Sequence, residues 1–241
     1  MARRARLFLV LGAALFILLP PRLLSESAAP GRPSLLGMLF QRLLLWGLRI
    51  RVYRTGDLDP NALIVANHIS WTDILALGSL RPMAFIAKSE VSNWPLLGLL
   101  ARLNGTVFVR RGERSSVVQQ VAAVSAALVR GPVILFPEGT TGNGAEVLPF
   151  RPTLFAAAGE GRVQPVSILY RPRGRAWRVG ELARFSWDGD KEFWPHLLEV
   201  SGGAAIDCHV MVHSPVVADV RDRKALATLC RRIVSEPLDL T

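Results

Sequence analysis

His68 and Asp73 are the side chains of this sequence best suited to moving a proton. They lie in Asn67-His68-Ile69-Ser70-Trp71-Thr72-Asp73, directly after the apolar run Ala62–Ala66. Imidazole takes up and releases protons near neutral pH. A carboxylate that holds one ring N–H fixes the tautomer and leaves the other nitrogen as a base, the division of labour used in serine hydrolases. Residues five apart on one regular helix point about 140° from each other. The pair therefore meets only if His68 sits in a turn and Asp73 in the first turn of the next helix, with Ser70 as N-cap. Ser70 and Asp73 alone also look like an ordinary capping box, and acids near helix starts are common. His-x4-Asp by itself defines no site.

Three later segments add chemistry. Gly105-Thr106-Val107-Phe108-Val109-Arg110-Arg111 carries two arginines out of an apolar run. Phe136-Pro137-Glu138-Gly139-Thr140-Thr141 leaves another through a turn rich in carboxylate and hydroxyl groups. Val163-Gln164-Pro165-Val166-Ser167-Ile168 is an apolar strand interrupted by proline. In this order and spacing the four segments resemble the four sequence blocks of the glycerolipid acyltransferases, whose best-known members are the 1-acylglycerol-3-phosphate acyltransferases. The resemblance covers roughly Ile64 to Tyr170, and four blocks in order are far more specific than any one.

The resemblance implies that His68 is the general base and Asp73 its partner. It implies that Arg111 binds the acceptor's phosphate or a comparable anion, and that Glu138 and Gly139, with Thr140 adjacent, line the acceptor's glycerol region. Lys88 resembles a basic position near that phosphate, although a single lysine at a strand end is more often merely solvated. Many family members carry an acid before the final arginine of the second block, where this chain has Arg110-Arg111, followed by Arg114. Downstream, Trp187-Asp188-Gly189-Asp190 and Phe193-Trp194-Pro195-His196 resemble the tail of bacterial relatives that acylate lyso-ornithine lipid. The resemblance thus makes lysophosphatidic acid, giving phosphatidic acid, the expected acceptor, with lyso-ornithine lipid the alternative. The expected donor is a thioester, acyl-CoA or acyl-carrier protein, and the scheme requires neither metal nor cofactor.

Other arrangements are weaker. The chain lacks Gly-x-Ser-x-Gly, so a hydrolase nucleophile elbow is unsupported. An acyl hydrolase or transacylase on the same fold would be separated by its products. Cys208 and His209 are neighbours on an expected strand and so face opposite sides. His196, His209 and His213 read as structural or exposed. Glu138-Gly-Thr-Thr-Gly-Asn-Gly lacks the lysine and spacing of a P-loop.

The elements that must position these residues follow from the apolar pattern. Strands are expected at Ala62–Ala66, Met83–Ala87, Thr106–Val109, Val133–Phe136, Val163–Tyr170 and Ile206–Val212. Helices are expected at Thr72–Ser79, Pro95–Leu103, Ser115–Arg130 and Arg221–Ser235. This alternation implies an α/β fold, a mostly parallel central sheet with helices on both faces. Ligands of such sheets bind beyond the carboxyl ends of the strands, which is where the four segments lie.

Residues 1–50 differ from the catalytic domain expected at 51–241. Arg3, Arg4 and Arg6 precede an uncharged apolar run, Leu7–Leu19, closed by Pro20-Pro21. As a helix the run spans roughly 20 Å, short of the ~30 Å of bilayer hydrocarbon. A signal peptide is the rival, but its best cleavage point, Ser27-Ala28-Ala29, is followed by Pro30. A retained anchor is expected, with its basic start cytoplasmic, placing the catalytic domain on the cytoplasmic face of the inner membrane. A second helix, Leu35–Ile50, would set Arg42 and Arg49 on one face, suited to lying among lipid headgroups or packing on the globular domain.

Composition agrees. The 241 residues are 50% hydrophobic with a formal net charge of +10, and mean hydropathy is +0.30. Nearly all the positive charge is arginine, since only Lys88, Lys191 and Lys224 are lysines. The charge fits an anionic lipid surface or a nucleic acid. A basic binding module would leave the ordered blocks unexplained, so membrane lipids are the expected partners and nucleic acid is not. Two cysteines, Cys208 and Cys230, are too few for a disulfide framework or a clustered zinc site.

Overall fold

A computed structural model describes residues 2–26, 31–110, 116–218 and 220–238. Arg111, Arg114 and Ser27-Ala28-Ala29 lie outside the described residues. Two N-terminal helices, α1 (Ala2–Glu26) and α2 (Leu35–Leu48), lead into β1 (Ile50–Thr55). Then follow β2 (Leu63–Ala66), α3 (Thr72–Gly78), β3 (Ala84–Lys88), α4 (Leu97–Leu103), β4 (Val107–Val109), α5 (Val117–Leu128) and β5 (Val133–Leu135). The chain continues through β6 (Arg162–Pro172), α6 (Glu181–Phe185), α7 (Phe193–Gly202), β7 (Ile206–Val212), β8 (Val216–Val217) and α8 (Arg223–Ser235).

The sheet order is β1-β7-β6-β2-β5-β3-β4, with β8 beside β6. All pairings are parallel except β6 with β7 and with β8. Alternation along β2 feeds two layers. Ile64 and Ala66 pack with Leu7, Leu45, Leu48, Leu77 and Leu197 on one face. Leu63 and Val65 pack with Val124, Ala127, Leu226 and Val234 on the other. With both faces covered, a central strand has no polar side, which explains the uninterrupted Leu-Ile-Val-Ala of β2.

The N-terminal region departs from expectation in three ways. Helix α1 runs through Pro20 and Pro21 to Glu26. Proline removes backbone donors from a helix, but the segment beyond is pinned by Arg22, which bonds Arg32 O at 3.0 Å and pairs with Glu26 at 2.7 Å. Helix α2 ends at Leu48, and Arg49 turns the chain into β1 with φ 64°. Arg42 and Arg49 therefore do not share a helical face. Arg42 Nε donates to Ser79 O at 2.7 Å, and Arg49 donates to Gly203 O at 3.2 Å.

Nor do the basic residues at the start of α1 stand free. Arg3 donates to Gly203 O at 3.0 Å, Arg4 to Leu198 O at 3.2 Å and Arg6 to Trp46 O at 2.8 Å. The Gly203 and Trp46 carbonyls lie at the C-terminal ends of α7 and α2, where cations complement the helix dipole. Helix α1 is the one described helix long and apolar enough to cross a membrane. It lies against α2, α4 and α7, and its outer face exposes Phe8, Leu9, Phe16, Ile17, Leu23 and Leu24.

Candidate active site

Strands β2 and β5 are paired in register, Val65 beside Leu135, so the loops leaving their carboxyl ends emerge side by side. The first carries His68, the second Glu138 to Thr141. His68 Nδ1 lies 2.8 Å from Asp73 Oδ2. The same oxygen accepts the backbone N–H of Ile69 at 2.7 Å and of Ser70 at 3.0 Å. An oxygen already accepting two N–H groups presents an acceptor to the ring, so Nδ1 carries the proton and Nε2 is the nitrogen able to accept one. The expected Ser70 N-cap is not what bends the chain: the helix begins after Trp71 with no side-chain cap. Asp73 shapes the turn itself by reaching back to two of its amides.

Asp73 is fully buried, and its other oxygen accepts the hydroxyl of Tyr170 at 2.7 Å. Tyr170 in turn accepts from Thr72 Oγ1 at 3.1 Å. Burial raises the Tyr170 pKa well above its ordinary value, so the hydroxyl remains a donor. Tyr170 escaped the sequence reading except as a strand end, because it lies nearly a hundred residues away in sequence and no spacing rule reaches that far.

A second clasp comes from the β5 loop. Glu138 Oε1 accepts the backbone N–H of His68 at 2.7 Å, and Oε2 accepts that of Leu148 at 3.0 Å. Gly142 N–H donates to His68 O at 2.7 Å. The His68 ring stacks on Phe136, centroids 4.0 Å apart. Burial pushes the Glu138 carboxyl up to about 7, against the pull of its two N–H bonds. Glu138 thus lies behind His68, beside a small recess of ≈ 40 Å³. Gly139, at φ +75°, turns the loop over the Arg151 side chain, where an added Cβ would meet Nε at 3.0 Å.

In front of His68 opens a cavity of ≈ 1360 Å³. Gly139, Thr140, Lys88, Arg110 and Arg151 line it together with His68. Lys88 ends β3 and is exposed. Arg151 was not singled out by the sequence; it follows Phe150 with no motif around it. Away from these groups the wall is apolar. Leu7, Leu11, Leu15, Leu18 and Leu19 form one stripe of α1 at helical spacing, facing Leu75, Leu97 and Leu100 from the body.

The segment 187–197 supplies the remaining wall. Trp187 N–H donates to Ile69 O at 2.9 Å, tying it to the turn that carries His68. Buried His196 accepts from Trp71 Nε1 at 2.9 Å through Nδ1 and donates from Nε2 to Arg184 O at 3.0 Å. His196 is structural, as expected. So is His213, held by Ser167 at 2.8 Å. Cys208 is buried while His209 is half-buried and stacks on Tyr53, so the two part company as expected. Among the described residues no group of His, Cys, Asp and Glu could hold a metal ion.

An imidazole hydrogen-bonded to a buried carboxylate thus stands at the edge of a large, mostly apolar cavity on a mostly parallel sheet, an arrangement able to move a proton beside an apolar ligand. The Acyltransferase family pattern matches residues 49–171, and the chain belongs to that family. It is 40% identical over 243 residues to the lyso-ornithine lipid O-acyltransferase of Brucella abortus, covering 92% of this chain and 90% of that one. It is 38% identical over 124 residues to the 1-acyl-sn-glycerol-3-phosphate acyltransferase of Neisseria gonorrhoeae, covering 51% and 49%. Its fold is similar to the crystal structure of the 1-acyl-sn-glycerophosphate acyltransferase of Thermotoga maritima, with a TM-score of 0.61 and 18% identity over 99% of this chain and 94% of that one.

Proposed function

We propose that the chain transfers a fatty acyl group from acyl-CoA or acyl-carrier protein to the hydroxyl of lyso-ornithine lipid, with His68 as general base and Asp73 as its orienting partner. The observation that carries this reading is the His68–Asp73 pair at 2.8 Å, with the ring at the edge of the apolar cavity. The relative that matches over nine-tenths of both chains bears that activity in its name.

An alcohol is a weak nucleophile until a base removes its proton during attack. His68 Nε2 takes the proton as the hydroxyl oxygen attacks the thioester carbonyl. The tetrahedral intermediate collapses to the ester and expels the thiolate, which recovers the proton from the imidazolium. Asp73 stabilises that transient cation, and the donor's acyl chain occupies the leucine-lined cavity. Thr140 and Gly139 border the acceptor, Glu138 holds the turn from behind, and Arg111 binds the acceptor's anionic group.

Lysophosphatidic acid is the second reading, favoured by Lys88, Arg110 and Arg151 at the cavity, which would neutralise a phosphate. In either case residues 1–50 form the membrane-facing helices, with the outer face of α1 in contact with lipid. Residues 51–241 form the catalytic domain, on the cytoplasmic face of the inner membrane.

The test is thiol release by detergent-solubilised protein, with lyso-ornithine lipid and lysophosphatidic acid supplied in parallel. Acceptor-dependent release with the ornithine lipid, lost in a folded His68→Ala protein, is expected. Release with lysophosphatidic acid alone selects the second reading. Release without any acceptor shows a hydrolase.

A further inference from the structure

The aromatic wall beside the catalytic turn has no role in proton transfer. Trp71, Trp94, Trp187, Phe193 and Trp194 form a continuous cluster: Phe193 lies 5.4 Å from Trp71, 6.1 Å from Trp94, 6.2 Å from Trp187 and 5.2 Å from Trp194 between ring centroids. All five line the cavity that holds His68. Trp71 belongs to the core, and Trp187 and Phe193 pack against it, but core packing does not account for Trp194, which is 56% exposed. Glu192 lines the same cavity, and its carboxylate makes no hydrogen bond or ion pair among the described residues. The other acids nearby are engaged: Asp188 pairs with Lys191 at 2.6 Å, and Glu90 accepts from Ser89 at 3.2 Å. Lys88 and Arg151 line the cavity as well.

One cavity thus offers a carboxylate with no partner among the described residues, the exposed ring of Trp194 and the cations Lys88, Arg110 and Arg151. A phosphate monoester would use only the cations. A zwitterion uses everything: its ammonium is drawn to the carboxylate and to ring faces, its carboxylate to lysine and arginine. We propose that Glu192, in the same wall as the exposed Trp194, binds the side-chain ammonium of an amino-acid lysolipid, while Lys88 and Arg151 add positive charge on the side of its carboxylate. The proposal rests on the lyso-ornithine reading and assigns the headgroup contact within it.

Glu192 suits the test because it precedes α7 without a side-chain cap bond, so Glu192→Gln removes charge and little else. Steady-state constants for wild type and Glu192→Gln are measured with three acceptors: N-acylated ornithine, the same lipid with its side-chain amine acetylated, and lysophosphatidic acid. The expected result is a roughly tenfold or larger rise in KM for the ornithine lipid only, with kcat held. The wild-type preference for the free amine over the acetylated one should vanish in the variant. An unchanged KM for the ornithine lipid, or the same rise with lysophosphatidic acid, overturns the assignment while leaving the lyso-ornithine reading intact. Wild type that fails to acylate the ornithine lipid at all defeats that reading and the assignment with it.

Discussion

The Tyr170 hydroxyl, delivered from the end of β6, donates to Asp73 Oδ1 at 2.7 Å, so the carboxylate that steers His68 is itself held from the opposite side. Both oxygens of this buried acid are engaged, one by three donors of the turn and one by the tyrosine. Ring orientation therefore depends, through Asp73, on a residue from a distant strand.

Tyr170→Phe leaves Asp73 Oδ1 and Thr72 Oγ1 without their partner. An unsatisfied buried group costs about 1–3 kcal/mol, so the melting midpoint should fall. We expect kcat to drop roughly ten- to hundredfold, with acceptor and donor KM little changed. Unaltered kcat in a destabilised protein would show that the tyrosine holds only the fold.

Glu138→Gln is expected to reduce kcat and to change how stability varies with pH. Glutamine offers one acceptor where two N–H groups require one each. The native carboxyl is pushed up to about 7, above its ordinary 4.5, so the folded state binds more protons than the unfolded state between those values. Its contribution is fully present below pH 4.5 and is lost as pH rises to about 7. Relative to the glutamine variant, wild type should lose at most about 1.4 kcal/mol per pH unit in that window, as measured by denaturant unfolding at several pH values. Parallel pH curves would refute the shift.

Gly78→Ala tests the seam between α3 and α2. A Cβ there would collide with Gln41 Oε1, so the two helices must part or Gln41 must move. Overpacking of this kind costs about 1–3 kcal/mol. Because Gln41 also lines the cavity, catalytic efficiency should fall more for long acyl donors than for short ones.

Leu15→Trp places a larger side chain on the cavity stripe of α1. Competition between long- and short-chain donors should shift toward the short ones, with little change in acceptor KM. Equal loss for all chain lengths would mean that the leucine-lined space does not receive the acyl group.

Much of the architecture was legible because strands buried on both faces leave apolar runs between helices, and β7 begins and ends where the pattern placed it. The strand β1 was not, since Leu35–Ile50 reads as one apolar run and the break is made by Arg49 in a left-handed conformation that no glycine or proline announces. The meeting of His68 and Asp73 across a turn was legible from their spacing, but only the four ordered segments singled the pair out, since His-x4-Asp by itself defines no site. Tyr170, Arg151 and the place of Glu138 behind the ring were not. Those relationships are made across strands, and local sequence carries no trace of them.

The leucine stripe of α1 has a practical meaning for anyone seeking a water-soluble form of this enzyme. The hydrophobic leader looks like a disposable tether, yet it supplies one side of the compartment that His68 borders. Trimming it away would unroof that compartment, and with it the space proposed for the fatty chain.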